Sequence, residues 1–299
     1  MSRLPLQKLP YRTDAKISAQ KNSHSLKKRY TKATFHERNN KMDANQALKQ
    51  KFENCEKIYA GMINEKTTLE SAKSAAGKFD FMFVDFEHGN LNQELARPIL
   101  ANCREADIPV IARVQDCVYH CISKSLDMGA DGVMIPRTET LEQVQTAIQS
   151  MRFFPRGKKG IGGAGLFRKG EKFEDINDHR YLILQIESPL GVNNLDAMLT
   201  LYGNEVAGIV IGPTDMACML GRGIDTHHPD VVKQAHKVIE ICKKHNKPSG
   251  IFCCNIADVA YYYRAGMTIL WSGNDGAFHK GGEEAMKAQR ERLDAATAI

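Results

Sequence analysis

The sequence predicts a (β/α)8 TIM barrel preceded by a disordered basic extension. Three observations carry this. Short apolar or β-branched runs alternate with longer segments of helical period, eight times over. The segment that holds them, residues 43–299, is 257 residues long, close to the ~250 of such barrels. The third is the charge distribution, which separates residues 1–42 from the rest.

The strand-like runs are Ile58–Ile63, Phe81–Asp85, Val110–Arg113, Gly132–Ile135, Tyr181–Ile186, Ala207–Ile211, Ser249–Cys253 and Thr268–Trp271. They are short β-branched or apolar runs and read as buried strands. Helical period follows at Thr67–Ala76, Leu91–Ala106, Val118–Met128, Glu139–Met151, Val192–Leu201, Pro229–His245 and Ala257–Ala265, and from Ala277 to near the C-terminus. Gly129 and Gly266 stand where helices should stop. Strand–helix alternation implies a parallel sheet, and eight units imply closure. The competing doubly wound sheet is weakened because no GxGxxG follows the first run.

Residues 1–42 hold 11 of the 41 Lys and Arg but only 2 of the 35 Asp and Glu, which leaves 43–299 with a net charge of −3. Polar, acid-poor and without a clean period, the extension reads as disordered. It would serve as a nucleic-acid arm, a targeting peptide or an inert appendage before an initiator at Met42. The acidic body argues against a large nucleic-acid-binding face. No apolar run is long enough to cross a membrane, and the opening MSRLPLQKLPYR has no apolar signal-peptide core. The 8 cysteines include no CxxC pair; Cys117 and Cys121 read as core, and the set as reduced thiols of a cytoplasmic protein.

Barrels place chemistry at the C-terminal ends of their strands. There the sequence has Asp85-Phe86-Glu87-His88-Gly89, Arg113, Pro136-Arg137, Gln185-Ile186-Glu187-Ser188-Pro189, Gly212-Pro213-Thr214-Asp215 and Ser272-Gly273-Asn274-Asp275. Glu187 and Asp215 lie on neighbouring strands. Two carboxylates without a thiolate suit Mg2+ or Mn2+, with Co2+ as a further candidate; the competing reading pairs Glu187 with an Arg or Lys. His88, flanked by Asp85 and Glu87, is the general-base candidate. Arg113 could clamp a substrate oxygen or pair with Asp85 or Asp127. Asp127, at a helix end, reads most simply as a solvated charge. Gly212, Pro213 and Thr214 open a helix whose N–H groups could face a substrate carboxylate. Gly157–Gly170 lacks the Walker spacing and reads as a mobile loop over the mouth. His227-His228 reads as surface and Tyr261–Tyr263 as helix packing.

Phe83-Val84-Asp85-Phe86-Glu87-His88-Gly89, Leu126-Asp127-Met128-Gly129-Ala130-Asp131-Gly132, Pro155-Arg156-Gly157 with Gly160, Gln185 to Pro189, Asn194-Leu195-Asp196 and Gly212 to Met216 occur in this order. Together they resemble the HpcH/HpaI family of metal-dependent, class II 2-oxo-acid aldolases over about residues 45–290. The resemblance implies a carbon–carbon lyase that cleaves a 4-hydroxy-2-oxo acid to pyruvate, or a related 2-oxo acid, and an aldehyde. It implies Glu187 and Asp215 as metal ligands, Arg113 on the pyruvyl oxygens, His88 as catalytic histidine with Asp127 as its acidic partner and Asp85 beside it, and Gln185 lining the metal site. It also implies a homo-oligomer, often a hexamer built as a trimer of dimers. Departures at Ile63, Arg152-Phe153-Phe154-Pro155, Phe167-Arg168-Lys169 and Ser272–Asp275 fall where the family shapes its acceptor pocket. A citrate-forming condensing enzyme of a siderophore pathway is the alternative on the same scaffold. A nucleic-acid-binding protein acting through the basic extension is the alternative of another class.

Overall fold

The computed structural model describes residues 43–253, 255–271 and 283–298. The expected disordered extension, Ser272-Gly273-Asn274-Asp275 and the start of the last helix lie outside the described residues. Eight parallel strands close in sequence order into a barrel, β8 pairing back onto β1. They are β1 (Ile58–Met62), β2 (Phe81–Asp85), β3 (Val110–Arg113), β4 (Gly132–Ile135), β5 (Tyr181–Ile186), β6 (Gly208–Ile211), β7 (Ser249–Ile251) and β8 (Ile269–Trp271). The helices are α1 (Ala44–Glu53), α2 (Leu69–Ala75), α3 (Gln93–Glu105), α4 (Tyr119–Met128), α5 (Leu141–Met151), α6 (Pro189–Tyr202), α7 (Pro213–Met219), α8 (Pro229–Lys244), α9 (Ile256–Ala265) and α10 (Glu283–Ala296). Among the described residues no helix is long and apolar enough to cross a membrane.

Local chemistry sets the boundaries. Thr68 and Thr140 form capping boxes with Ser71 and Gln143 at the starts of α2 and α5. Ser188 caps α6, with Pro189 in its first turn, so this helix begins three residues before the expected Val192. Gly129 and Gly266 follow α4 and α9 at φ 123° and 115°, a region that favours glycine. His228 is the N-cap of α8, and His227 pairs with Asp258 at 3.0 Å, both on the surface.

Each strand has two apolar faces. Phe81 and Phe83 of β2 and Ile183 of β5 fill the barrel, whereas Met82, Val84, Leu182 and Leu184 pack under the helices. This double burial explains why the runs are mostly apolar. Helix α1, which the strand–helix rhythm does not predict, packs Leu48 and Phe52 with the barrel interior. The Phe52 ring lies 5.2 Å from that of Tyr181 and 6.4 Å from that of Phe81. Tyr181 and Phe81 begin their strands, so α1 plugs the N-terminal end.

The glycine-rich segment after α5 is also at that end, contrary to its expected place over the mouth. It leads from a helix into β5 and packs on the last turn of α4. Lys159, fully buried, reaches Asp127 Oδ1 at 2.5 Å and Ser123 Oγ at 3.1 Å. Gly163 and Gly165 lie so close to Asp127 and Met128 that a Cβ at either would meet backbone at 2.5–2.6 Å. Arg168 pairs with Asp107 and with the buried Asp131, both at 2.9 Å. Asp131 also accepts Val110 N–H at 3.0 Å.

Candidate active site

The barrel's other end opens into a cavity of about 390 Å³. Phe83, Met134, Val210 and Trp271, from the even strands, form its apolar floor. Met62, Arg113, Gln185 and Phe252, from the odd strands and the residue after β7, form the next layer. Alternation along each strand thus stacks layers of four and places two polar side chains above a dry floor.

Asp85, the last residue of β2, organises one wall. Its Oδ1 accepts the backbone N–H groups of Glu87 (3.0 Å) and His88 (3.2 Å), fixing the turn that carries the histidine. The same carboxylate takes Arg113 Nε at 2.9 Å and Nη2 at 2.6 Å. Burial opposes its charge, but the Arg113 hydrogen bonds and charge outweigh burial and hold its pKa below the usual value. The Arg113–Asp85 pair expected as an alternative is therefore present, and Arg113 still faces the cavity.

Gln185 links this wall to the next. Its Oε1 lies 3.5 Å from Arg113 Nη1, and its Nε2 donates to Glu187 Oε2 at 2.6 Å. Glu187 is 4% exposed and also accepts the backbone N–H of Arg137 at 2.7 Å. Among the described residues it has no ion pair. Burial, then the charges of Asp215 and Glu87, push its pKa up to about 7, against the Arg137 hydrogen bond. Asp215 lies in the first turn of α7 and lines the cavity with Gly212, Pro213 and Thr214. Gly212 has no room for a side chain, since a Cβ would sit 2.2 Å from Glu187 Oε2.

Two mutually repelling carboxylates at one mouth fit a hard divalent cation, which would neutralise both. Among the described residues no cluster of three or more His, Cys, Asp or Glu could hold a metal. Glu187 and Asp215 are the residues that would hold such a cation, with water or substrate in its remaining positions, as is common for Mg2+ and Mn2+.

His88 lies on the rim, its side chain 67% exposed, with Nε2 3.9 Å from Glu87 Oε2. Asp127 does not join it within one chain. Asp127 ends α4, beside the N-terminal end of the barrel, and is held by Lys159, whereas His88 follows the C-terminal end of β2. It is paired rather than simply solvated. Two residues gain parts the sequence did not assign. Glu87, nearly buried, lies 3.4 Å from both Arg113 Nε and Arg137 Nε. Arg137 supplies the N–H to Glu187 from a backbone at φ 47°. Their positions just after strands were the available signal.

A barrel with two carboxylates, an arginine and a histidine at its C-terminal mouth has a candidate enzyme site where such barrels carry their chemistry. The sequence profile of the HpcH/HpaI aldolase/citrate lyase family matches residues 64–279, and the chain belongs to that family. It is 35% identical over 206 residues to a 5-keto-4-deoxy-D-glucarate aldolase of Salmonella paratyphi A, covering 67% of this chain and 79% of the relative. Its fold matches an HpcH/HpaI aldolase of Desulfitobacterium hafniense DCB-2 with a TM-score of 0.70, 24% identity and coverage of 82% and 96%. It also matches the citrate synthase SbnG, with a TM-score of 0.66, 23% identity and coverage of 83% and 98%.

Proposed function

We propose that this chain is a metal-dependent class II aldolase, which reversibly cleaves a 4-hydroxy-2-oxo acid to pyruvate, or a related 2-oxo acid, and an aldehyde. The observation that carries the reading is the chain Arg113–Gln185–Glu187, which ends on a buried carboxylate beside Asp215. A divalent cation held by Glu187 and Asp215 would act there as a Lewis acid toward the 2-oxo acid.

The protein groups divide the remaining work. Arg113, oriented by Asp85, presents Nη1 to the C2 oxygen, where negative charge grows as the C3–C4 bond breaks. Gln185 holds both Arg113 and Glu187 in register with that oxygen. His88 takes the C4 hydroxyl proton; the C3–C4 electrons move toward C2, the aldehyde departs, and C3 is then protonated. In condensation the same base removes a C3 proton. Pairing Asp127 with His88 requires a second copy of the chain, which agrees with a homo-oligomer.

The test is exchange of pyruvate methyl protons in D2O with Mg2+, Mn2+, Co2+ or chelator, because exchange needs no acceptor. Metal-dependent exchange that is lost in Glu187→Ala is expected. Exchange that persists in chelator overturns the metal-dependent reading. No exchange, with citrate formed from oxaloacetate and an acetyl donor, favours the condensing alternative.

A further inference from the structure

We infer that the N-terminal end of the barrel carries a second binding site, for a small tetrahedral oxyanion, either free phosphate or the phosphate group of a metabolite. The site is a cavity of about 150 Å³ at the end opposite the mouth, ample for several waters or one such ion. Four segments surround it: α1, the connection from α5 into β5, the turn from α6 to β6, and the turn from α8 to β7. Phe52, Val206 and Ala207 give it apolar walls, and the rest of its lining is polar or charged.

The charges there do not balance. Lys49 pairs with Glu53, and Arg180 pairs with Glu171 at 2.7 Å. Arg152 and Arg156 share Glu205, each at 2.8 Å, and Arg156 also takes Asp178 at 2.5 Å. Every acid that lines the cavity is thereby claimed, and Lys247 is left over. Its ammonium makes no hydrogen bond or ion pair among the described residues. It is half-buried beside the end of α6, with its Cε 3.7 Å from where a Cβ on Gly203 would stand. Burial lowers its pKa, and the nearby Cys55 and Glu53 offset this only in part. A half-buried cation without a partner is unfavourable, and an anion in the cavity supplies the partner.

Further donors face the same space. Arg180 is 3% exposed, and its Nε has no hydrogen-bond partner among the described residues. Arg156 gives one N–H each to Glu205 Oε1, Glu205 Oε2 and Asp178 Oδ1, which leaves two of its five. These arginines lie on the connection into β5, whereas Lys247 precedes β7, so the donors reach the cavity from separate segments. That arrangement suits an ion with oxygens on every side better than a planar carboxylate, which two parallel bonds from one arginine would satisfy. None of these residues belongs to the mouth, so the site is independent of the proposed reaction. Its occupant would tie the plug helix α1 to the turns that lead into β6 and β7.

The test is calorimetric titration of the full chain with phosphate, glycerol phosphate, sulfate and acetate at constant ionic strength, alone and in the presence of pyruvate with Mg2+. Saturable binding of phosphate that pyruvate does not displace is expected, with acetate much weaker. Lys247→Met should weaken phosphate binding roughly ten- to a hundredfold, and Lys247→Arg should largely restore it. The Tm of wild type should rise with phosphate relative to chloride, and that of Lys247→Met should not. Tighter binding of glycerol phosphate than of phosphate assigns the site to a phosphorylated metabolite, and the reverse assigns it to the free ion. Equal phosphate affinity in Lys247→Met, displacement by pyruvate, acetate binding as tightly as phosphate, or no saturable binding of any tetrahedral oxyanion overturns the assignment.

Discussion

Gly212 offers a perturbation that separates the chemistry from the fold. Replacing it with Ala puts a Cβ 2.2 Å from Glu187 Oε2, 2.9 Å from Gln185 Nε2 and 3.0 Å from Glu187 Cβ. The backbone there, φ −93° and ψ 94°, suits Ala, so no backbone strain is introduced. To reach even a tight 3.0 Å contact the Glu187 oxygen must retreat by about 0.8 Å. That oxygen ends a flexible side chain, so the barrel absorbs the change. The carboxylate cannot, because its 2.6 Å bond from Gln185 and its 2.7 Å bond from Arg137 N–H both depend on its place. Disturbing the support of a metal ligand typically costs ten- to a hundredfold in affinity, or about 1.4–2.7 kcal/mol. Gly212→Ala should therefore weaken Mn2+ binding by that factor in a calorimetric or EPR titration. Methyl exchange should fall with it, and Tm should change little. Mn2+ affinity equal to wild type would refute the placement of Glu187 as a ligand above Gly212.

Arg113→Lys keeps a positive charge but loses the two-bond grip of Asp85, and should lower kcat/KM about a hundredfold with metal affinity nearly unchanged; equal activity would show that the fork is not used. At the opposite end, Asp131→Asn breaks a fully buried pairing with Arg168 and Arg104 and should cost roughly 3–5 kcal/mol in denaturant unfolding. Burial opposes the Asp131 charge, but Arg168 and the other arginines outweigh it and lower the pKa from its ordinary 3.8. The pairing's contribution is therefore complete above the unfolded pKa and is lost as pH falls through the lower folded one. Acid titration of wild-type stability should show that loss below about pH 4, and Asp131→Asn should lack it.

The fold was legible because a barrel repeats one local pattern, and double burial makes each strand a mostly apolar run. Helix α1 escaped because it precedes the rhythm, and its Leu48 and Phe52 serve the plug rather than the outer ring. The candidate site was legible where polar residues end or directly follow a strand: Asp85, Arg113, Gln185 and Asp215 line the one cavity, and Glu187 lies against Gln185 and Gly212. The separation of Asp127 from His88 within one chain was not legible, because it depends on which end of the barrel a helix terminus occupies. The segment 157–170 misled because its glycines suggest mobility, whereas Gly163 and Gly165 allow close packing on α4. Arg137 carries no sequence mark of its φ, since the usual marks of that region are Gly and Asn.

On the proposed reading, the charges of the mouth predict an order of binding. Asp85 offsets Arg113, and Glu87 lies between Arg113 and Arg137, so the arginines' charge is largely offset before any ligand arrives. Glu187 and Asp215 are then left to repel each other, which is part of why the Glu187 pKa rises to about 7. An anionic 2-oxo acid approaching this mouth alone meets like charge, and Arg113 has already committed two of its donors to Asp85. On the metal-dependent reading proposed above, a divalent cation would reverse the balance by cancelling the two carboxylates, and that reading predicts that the cation binds before the 2-oxo acid. Pyruvate should show no saturable binding to the metal-free protein in calorimetry, yet bind once Mn2+ is present. By linkage, pyruvate should raise Mn2+ affinity by the same factor. Glu187→Gln removes one of the repelling charges together with a proposed ligand. It should weaken metal binding without restoring metal-free pyruvate binding, because neutrality alone supplies no partner for the C2 oxygen. Tight pyruvate binding to the metal-free protein would mean that Arg113 leaves Asp85 to receive it, and the fixed Arg113–Asp85 clamp would then be the wrong description of this wall.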